Sequence, residues 1–129
     1  MATTVDPVVA TLVVIMGAIP GAVVRYYITR FSAEWWGAHF PFGTFIINLS
    51  GTLLMGIVTG LSIKDDTIKL LLANGFLASY TTFSTFILDT VTLWQMGGKK
   101  RALLYYLGTV LLGTILLKVG IFLPRLIYG

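Results

Sequence analysis

No cysteine occurs among the 129 residues, histidine occurs once, and only 11% of the side chains are charged. The first absence excludes disulfides, thiolate metal sites and cysteine nucleophiles, and it leaves the compartment open. With His39 alone, no paired carboxylates, no phosphate loop and no metal-ligand spacing, the chain carries none of the constellations on which an enzyme is built. His39 reads as a residue at headgroup level rather than a base. Acids are scarce as well, and five of them against nine basic residues give a formal net charge of +4. A nucleic-acid binder gathers such charge into a stripe or tail, whereas here the basic residues stand at segment ends or in short turns. No nucleic-acid partner is expected.

What the chain has in plenty is apolar surface, 57% of its residues being hydrophobic and its mean hydropathy +0.90. Four stretches free of Asp, Glu, Lys and Arg, at residues 7–24, 40–63, 70–88 and 102–117, are 16 to 24 residues long. Roughly 20 apolar residues cross a bilayer core as a helix. The spacing therefore predicts an all-α, multi-pass membrane protein of four transmembrane helices, a single domain over residues 1–129 surrounded by membrane lipid. The first stretch follows Asp6 with no Lys or Arg before it and runs into Arg25 without a convincing cleavage site, so it reads as a permanent helix rather than a signal peptide. The connections at 26–41, 62–69 and 97–101 are too short for a soluble domain. Tyr26, Tyr27, Trp35 and Trp36 give the first of them an aromatic belt at headgroup level.

The third stretch is too long for one straight crossing. Residues 70–95 number 26, about 39 Å of helix against a hydrocarbon core of about 30 Å. Either a steep tilt or a break absorbs the surplus, and Leu77-Ala78-Ser79-Tyr80-Thr81-Thr82 offers a place for a break. Broken backbone at membrane depth is tolerated only where protein buries it or a wet cavity receives it, so a break here is a candidate site. Orientation is weakly encoded. Arg25, Arg30, Lys99, Lys100 and Arg101 mark one side, and Lys64, Lys69, Arg125 and a snorkelling Lys118 the other. So small a bias lets the chain insert either way up, and two copies can then meet as an antiparallel pair. Four helices leave little room for a pathway between them, which puts any pathway at an interface. Gly17, Gly21, Gly51, Gly56, Gly60, Gly108 and Gly113 permit close helix approach, and for most of them ordinary packing is the commoner role.

In lipid every polar side chain needs a partner. Asn48, flanked by Thr44, Ser50 and Thr52 in the second span, serves either as glue to a neighbouring helix or as an amide donor to a dehydrated anion. The densest polar run is Ser79-Tyr80-Thr81-Thr82-Phe83-Ser84-Thr85-Phe86. Phe83 and Phe86 share a helical face, with Ser79 and Thr82 one turn before them. One reading makes these rings core and bonds the hydroxyls back to carbonyls one turn earlier. The other points the positive ring edges at an anion while hydroxyls and amide replace its water. Asp89, the only acid close to the interior of a span, is either a proton-coupling carboxylate or, as its place near the helix end favours, a hydrated cap. Arg25 is a vestibule cation or a snorkelling anchor, and Tyr105, Tyr106, Thr109 and Thr114 put hydroxyls on the fourth helix.

These residues carry a resemblance. Gly21-Ala22-Val23-Val24-Arg25-Tyr26 closing the first span, Gly43-Thr44-Phe45-Ile46-Ile47-Asn48-Leu49-Ser50-Gly51 in the second, and Gly75-Phe76-Leu77 leading into Thr81-Thr82-Phe83-Ser84-Thr85-Phe86 in the third resemble the Fluc (CrcB) family of fluoride channels over nearly the whole chain. The resemblance implies a fluoride-selective channel for passive export of cytoplasmic fluoride through a plasma membrane, the bacterial inner membrane. It implies a third helix broken mid-membrane and an antiparallel, dual-topology homodimer with two pores. Its fluoride pathway would fall on Asn48, Phe83 and Phe86, continued by Thr82, Ser84, Tyr106 and Thr114, with Arg25 in the vestibule and Asp89 after the rings. A structural Na⁺ at the dimer centre would take the backbone carbonyls of Ala78 and Thr81 from both subunits. Family members often have two glycines before the Thr-Thr pair, where this chain has Ala78-Ser79-Tyr80, and Val110 falls where another hydroxyl is usual. The implied chemistry is sound: fluoride is strongly hydrated, and ring edges, amide and hydroxyl donors replace its water without a fixed cation that would bind too tightly to release. A proton-coupled small multidrug-type exporter is the rival from another class. It needs a glutamate in the first span, and residues 7–24 contain no acid. A non-transporting scaffold is a third possibility, suggested by the glycine faces.

Overall fold

The computed structural model describes residues 4–129, and among them every regular element is a helix. Helix α1 spans Pro7–Trp36, α2 Phe42–Gly60 and α3 the single turn Asp66–Lys69. A π-helical segment, Leu70–Leu77, continues from α3 into α4, Ala78–Tyr80. Helix α5 covers Ser84–Gln95 and α6 Lys99–Tyr128. Four units are long and apolar enough to cross a membrane: Pro7–Trp36, Phe42–Gly60, Asp66–Gln95 and Lys99–Tyr128. Between 11% and 28% of the residues in each apolar window are buried. The rest face outward as Leu, Ile, Val and Phe, which water would penalise and lipid does not.

Two helices run further than the charge-free stretches imply. The first does not stop at Arg25; most of the expected loop 26–41 is helix, and the true connection is only Gly37 to Pro41. The extension has identifiable supports. Arg30 Nε meets Glu34 Oε1 at 3.2 Å one turn on. The rings of Tyr27, Phe31 and Trp35 follow one another at 6.0 Å intervals up the same face. Asp6 caps the other end, its Oδ1 accepting from Val8 N at 2.9 Å and Val9 N at 3.4 Å, with proline at the first helical position. Gly37, at φ +76°, ends the helix in a conformation that side chains with a Cβ resist. Similarly α6 carries Lys118 and Arg125 on to Tyr128, past the apolar stretch that ends near residue 117.

The protomer is held by two close seams. A Cβ at Gly56 would collide with the carbonyl oxygen of Leu117, and one at Gly120 with that of Leu53, so α2 and α6 touch backbone to backbone. Gly17 and Gly75 bring α1 against the π segment in the same way. Without a hydrophobic drive inside lipid, such close packing is what binds helices together. Gly108, by contrast, has nothing within 4 Å and packs on no neighbour in the protomer. Between the seams lie two small cores, Ile47 with Leu77 and Tyr80, and Phe86 with Leu93, Ala102 and Tyr105. The polar run of the third span gives Tyr80 to the first core and Phe86 to the second.

Candidate functional site

The backbone of the third span leaves helical geometry where its polar run begins. Helix α4 ends at Tyr80, Thr81 is extended at φ −78° and ψ 159°, and α5 starts at Ser84. The N–H of Thr82, which an unbroken helix would give to Ala78 O, goes instead to Asn48 Oδ1 at 2.9 Å. Asn48 Nδ2 in turn donates to Thr82 O at 2.8 Å. One side-chain amide thus replaces both backbone partners of one residue. The two readings of Asn48 meet here: it is glue, and because its NH₂ carries two protons, one N–H is left over as a donor.

Other side chains finish the repair. Arg25 Nη1 donates to Thr81 O at 3.3 Å, so this arginine reaches the interruption rather than solvent alone. Ser79 Oγ donates to Ala18 O at 2.9 Å and shares the Phe76 carbonyl at 3.0 Å. Ser50 Oγ and the Tyr80 hydroxyl are hydrogen-bonded at 2.8 Å. Thr82 Oγ1 accepts from Thr85 N at 3.2 Å, capping α5, and lies 3.5 Å from Ser84 Oγ. Gly51 leaves the room that the Thr81 methyl occupies.

The two phenylalanines differ in setting. Phe86 is 5% exposed, whereas Phe83 is 75% exposed with its ring projecting from the protomer. Their centroids are 6.2 Å apart at 55°. Phe86 stacks on Tyr106 at 5.3 Å and 18°, and meets Tyr105 at 5.3 Å and 51°. The structure therefore brings Asn48, Thr82, Ser84, Phe83, Phe86 and Tyr106 into one neighbourhood. Thr114 is not joined to it by any of these contacts: it is exposed on α6, and its hydroxyl proton goes to Val110 O at 2.7 Å.

Two residues matter more than the sequence suggested. Thr44 is 3% exposed and Tyr105 1%. The Tyr105 hydroxyl donates to Asp89 Oδ2 at 3.5 Å. Thr44, Asp89, Thr85 and Ser32 line one cavity of about 210 Å³, opening beside the Gly37 to Pro41 connection. Asp89 thus lines a cavity shared with the hydroxyls of Thr44, Thr85 and Ser32 and accepts from Tyr105. The signal was present in the spacing, since Thr44 precedes Asn48 by one turn on the same helical face.

A cation at the interruption would meet backbone oxygen, because no group of three or more His, Cys, Asp or Glu that could hold a metal is found among the described residues. Ala78 is exposed and its carbonyl has lost the Thr82 N–H. Thr81 O keeps one lone pair beside the Arg25 contact. Hard oxygen donors of this kind fit an alkali cation.

Four apolar spans define a multi-pass membrane protein. A family model described as CrcB-like protein, Camphor Resistance (CrcB), matches residues 12–121. The protein of Synechocystis sp. (strain ATCC 27184 / PCC 6803 / Kazusa) named fluoride-specific ion channel FluC is 46% identical over 118 residues, covering 88% of this chain and 91% of its own. A protein of the same name from Synechococcus sp. (strain JA-2-3B'a(2-13)) is 45% identical over 117 residues, covering 88% and 90%. One from Trichormus variabilis is 42% identical over 120 residues, covering 89% and 88%. The chain belongs to the CrcB family.

Proposed function

We propose that this protein is a fluoride-selective channel, passing the ion down its gradient and so lowering cytoplasmic fluoride, with no enzymatic step. Identity of 46% to a fluoride-specific ion channel across 88% of the chain carries the reading. The geometry supports it. A dehydrated fluoride needs close donors and no tightly binding cation. The spare N–H of Asn48, the hydroxyls of Thr82 and Ser84 and the edges of Phe83 and Phe86 form such a set, with Tyr106 behind Phe86. Arg25 adds positive potential nearby. Thr114 belongs to the pathway only if the ion leaves this neighbourhood along α6.

The same reading makes the functional unit an antiparallel, dual-topology homodimer in the bacterial inner membrane, each chain a single transmembrane domain. Three observations favour it. The Phe83 ring is 75% exposed beside a polar backbone, which lipid would leave poorly matched and a second copy would cover. The basic residues bias the topology only weakly. The freed Ala78 and Thr81 carbonyls are two oxygens per chain, too few for an alkali cation, and two copies double them. Na⁺ held there would supply fixed positive potential and tie the two interruptions together at mid-membrane depth.

The test is fluoride efflux from liposomes containing the purified protein, followed with a fluoride electrode after valinomycin shorts the potential, beside chloride-loaded vesicles. Fast fluoride release with little chloride release is expected. A folded, dimeric protein that releases no fluoride refutes the proposal.

A further inference from the structure

The third span is interrupted near its middle and carries Asp89 toward its C-terminal end, and a second polar cavity lies at its other end. It measures about 540 Å³ and sits where α2 stops and the π segment begins, lined among others by Thr59, Ser62, Lys64, Lys69, Ala73 and Asn74. Its polar chemistry is one-sided. No carboxylate lines it, although Asp65 and Asp66 belong to the same connection. Asp65 is turned elsewhere, and Asp66 takes only one of the Lys69 protons. Asp65 Oδ1 caps α3, accepting from Thr67 N at 2.9 Å and Ile68 N at 3.2 Å. Asp66 takes the Thr4 hydroxyl at 3.0 Å and Lys69 Nζ at 3.1 Å. The Lys69 ammonium keeps further protons, and Lys64 forms no ion pair among the described residues. Thr59 spends its proton on Met55 O at 2.8 Å, but the Ser62 hydroxyl and the Asn74 amide remain as donors on the wall.

Ser62 marks the spot in a second way. It is the only described residue other than glycine with positive φ, at 51°, a conformation that costs a side chain with a Cβ and in which Ser62 N closes on Thr59 O at 3.2 Å. A glycine would end α2 there with less strain and bring no hydroxyl.

We infer that this cavity binds the phosphate group of an anionic phospholipid, with Lys64 and Lys69 neutralising it and Ser62 and Asn74 donating to its oxygens. Position argues for a lipid over a free ion. The cavity opens at the end of two membrane-spanning helices, where headgroups lie, and aliphatic Val58, Ile63 and Ala73 complete its wall, offering contact to a glycerol backbone and the first methylenes. Fluoride is a poor fit, being far smaller than the cavity and better served by the close-set donors around Asn48.

The experiment measures the thermal midpoint of the purified full chain in detergent, with added phosphatidylglycerol, phosphatidylcholine or inorganic phosphate. Phosphatidylglycerol is expected to raise the midpoint saturably while phosphatidylcholine does not. In the double variant Lys64→Gln, Lys69→Gln the apparent lipid affinity should fall about 30-fold, from the loss of two cations near a lipid phosphate. Lys64→Gln alone, which breaks no ion pair, should fall about 5-fold, and it keeps the test intact if loss of the Lys69 to Asp66 contact harms folding. Equal lipid shifts in wild type and variants overturn the assignment. So does a shift given by millimolar phosphate and not by the lipid, which would make the ligand a free ion. Lost fluoride flux in the variants with an unchanged lipid shift also overturns it, by making the cavity a mouth of the ion pathway.

Discussion

Replacing Asn48 separates the scaffold role its hydrogen bonds show from the ion-path role the proposed function gives it. Its amide makes two hydrogen bonds to the Thr82 backbone, at 2.8 and 2.9 Å, in a partly buried setting. Asn48→Ala removes both and leaves a backbone N–H and C=O unpaired. Each orphaned group costs about 1–3 kcal/mol, so a loss of about 2–4 kcal/mol is expected once partial hydration is allowed for. Asn48→Asp is different. A carboxylate still accepts from Thr82 N, but its other oxygen faces Thr82 O with no proton to give, so one bond survives and an oxygen–oxygen repulsion replaces the other. What it adds is charge on the ion's path. At an effective dielectric of about 20, a unit negative charge about 5 Å from a fluoride raises that ion's energy by about 3 kcal/mol, a slowing of more than about 100-fold. Denaturant unfolding in mixed micelles reads the first quantity, and fluoride efflux from liposomes the second. Ala should lose stability by that first amount, and Asp should be the poorer conductor. Conduction by Asn48→Asp at the wild-type rate would confine Asn48 to a scaffold role, and Asn48→Ala of unchanged stability would mean that the amide does not hold the interruption.

The remaining predictions use the contrast between neighbouring groups. Phe83→Ile should leave protomer stability within about 0.5 kcal/mol, because the ring is 75% exposed, yet suppress fluoride efflux; unchanged efflux would remove that ring from the pathway. Phe86→Ala should cost about 3–5 kcal/mol, since Phe86 is packed against Tyr105 and Tyr106, and a stability loss under 1 kcal/mol would contradict that packing. Tyr105→Phe removes only a long 3.5 Å hydrogen bond to Asp89, so stability should change by less than about 1 kcal/mol; a fall in efflux without a stability loss would put the Asp89 cavity on the ion's route. Gly56→Val should abolish the folded state in a yield and gel-filtration assay, because a Cβ there meets the Leu117 carbonyl, and a well-folded variant would show that the α2–α6 seam can open.

The four spans were legible because lipid rewards apolar residues whatever their order, so charge-free stretches alone located them. Their ends were not. The last turns of α1 stand on an Arg30 to Glu34 pair and a ladder of aromatic rings, neither of which mean hydropathy registers. At the site, composition singled out Asn48 and the hydroxyl-rich run but not the bond between them, since Asn48 and Thr82 are 34 residues apart and the partner is backbone, which has no signature in sequence. Tyr105 and Tyr106 are adjacent on one helix and point about 100° apart, so choosing the ring buried against Asp89 needed the packing of α5 on α6. The resemblance continued a polar track to Thr114 on the fourth helix, and that hydroxyl donates to Val110 O one turn earlier.

The residues at the interruption also explain how it forms without the pair of glycines that relatives often carry. A helix that ends in a left-handed residue needs glycine, because a Cβ there meets the following carbonyl. This helix ends otherwise. Ala78 has φ −65° and ψ −33°, ordinary right-handed values, and the chain turns out of the helix at Thr81 through ψ alone, φ staying at −78°. No position in the turn asks for a missing Cβ, so alanine and serine are tolerated and lower the entropy lost on folding. Serine then does what glycine cannot: its hydroxyl bonds to Ala18 O on α1, against the face that Gly21 leaves open for it. What permits the interruption is therefore the supply of partners to the backbone it frees, from Asn48 on α2, Arg25 on α1, and Thr82 within the turn itself. A helix broken inside lipid is stable only to the extent that such partners are already in place, and here Asn48 alone supplies two of them and keeps one N–H to spare.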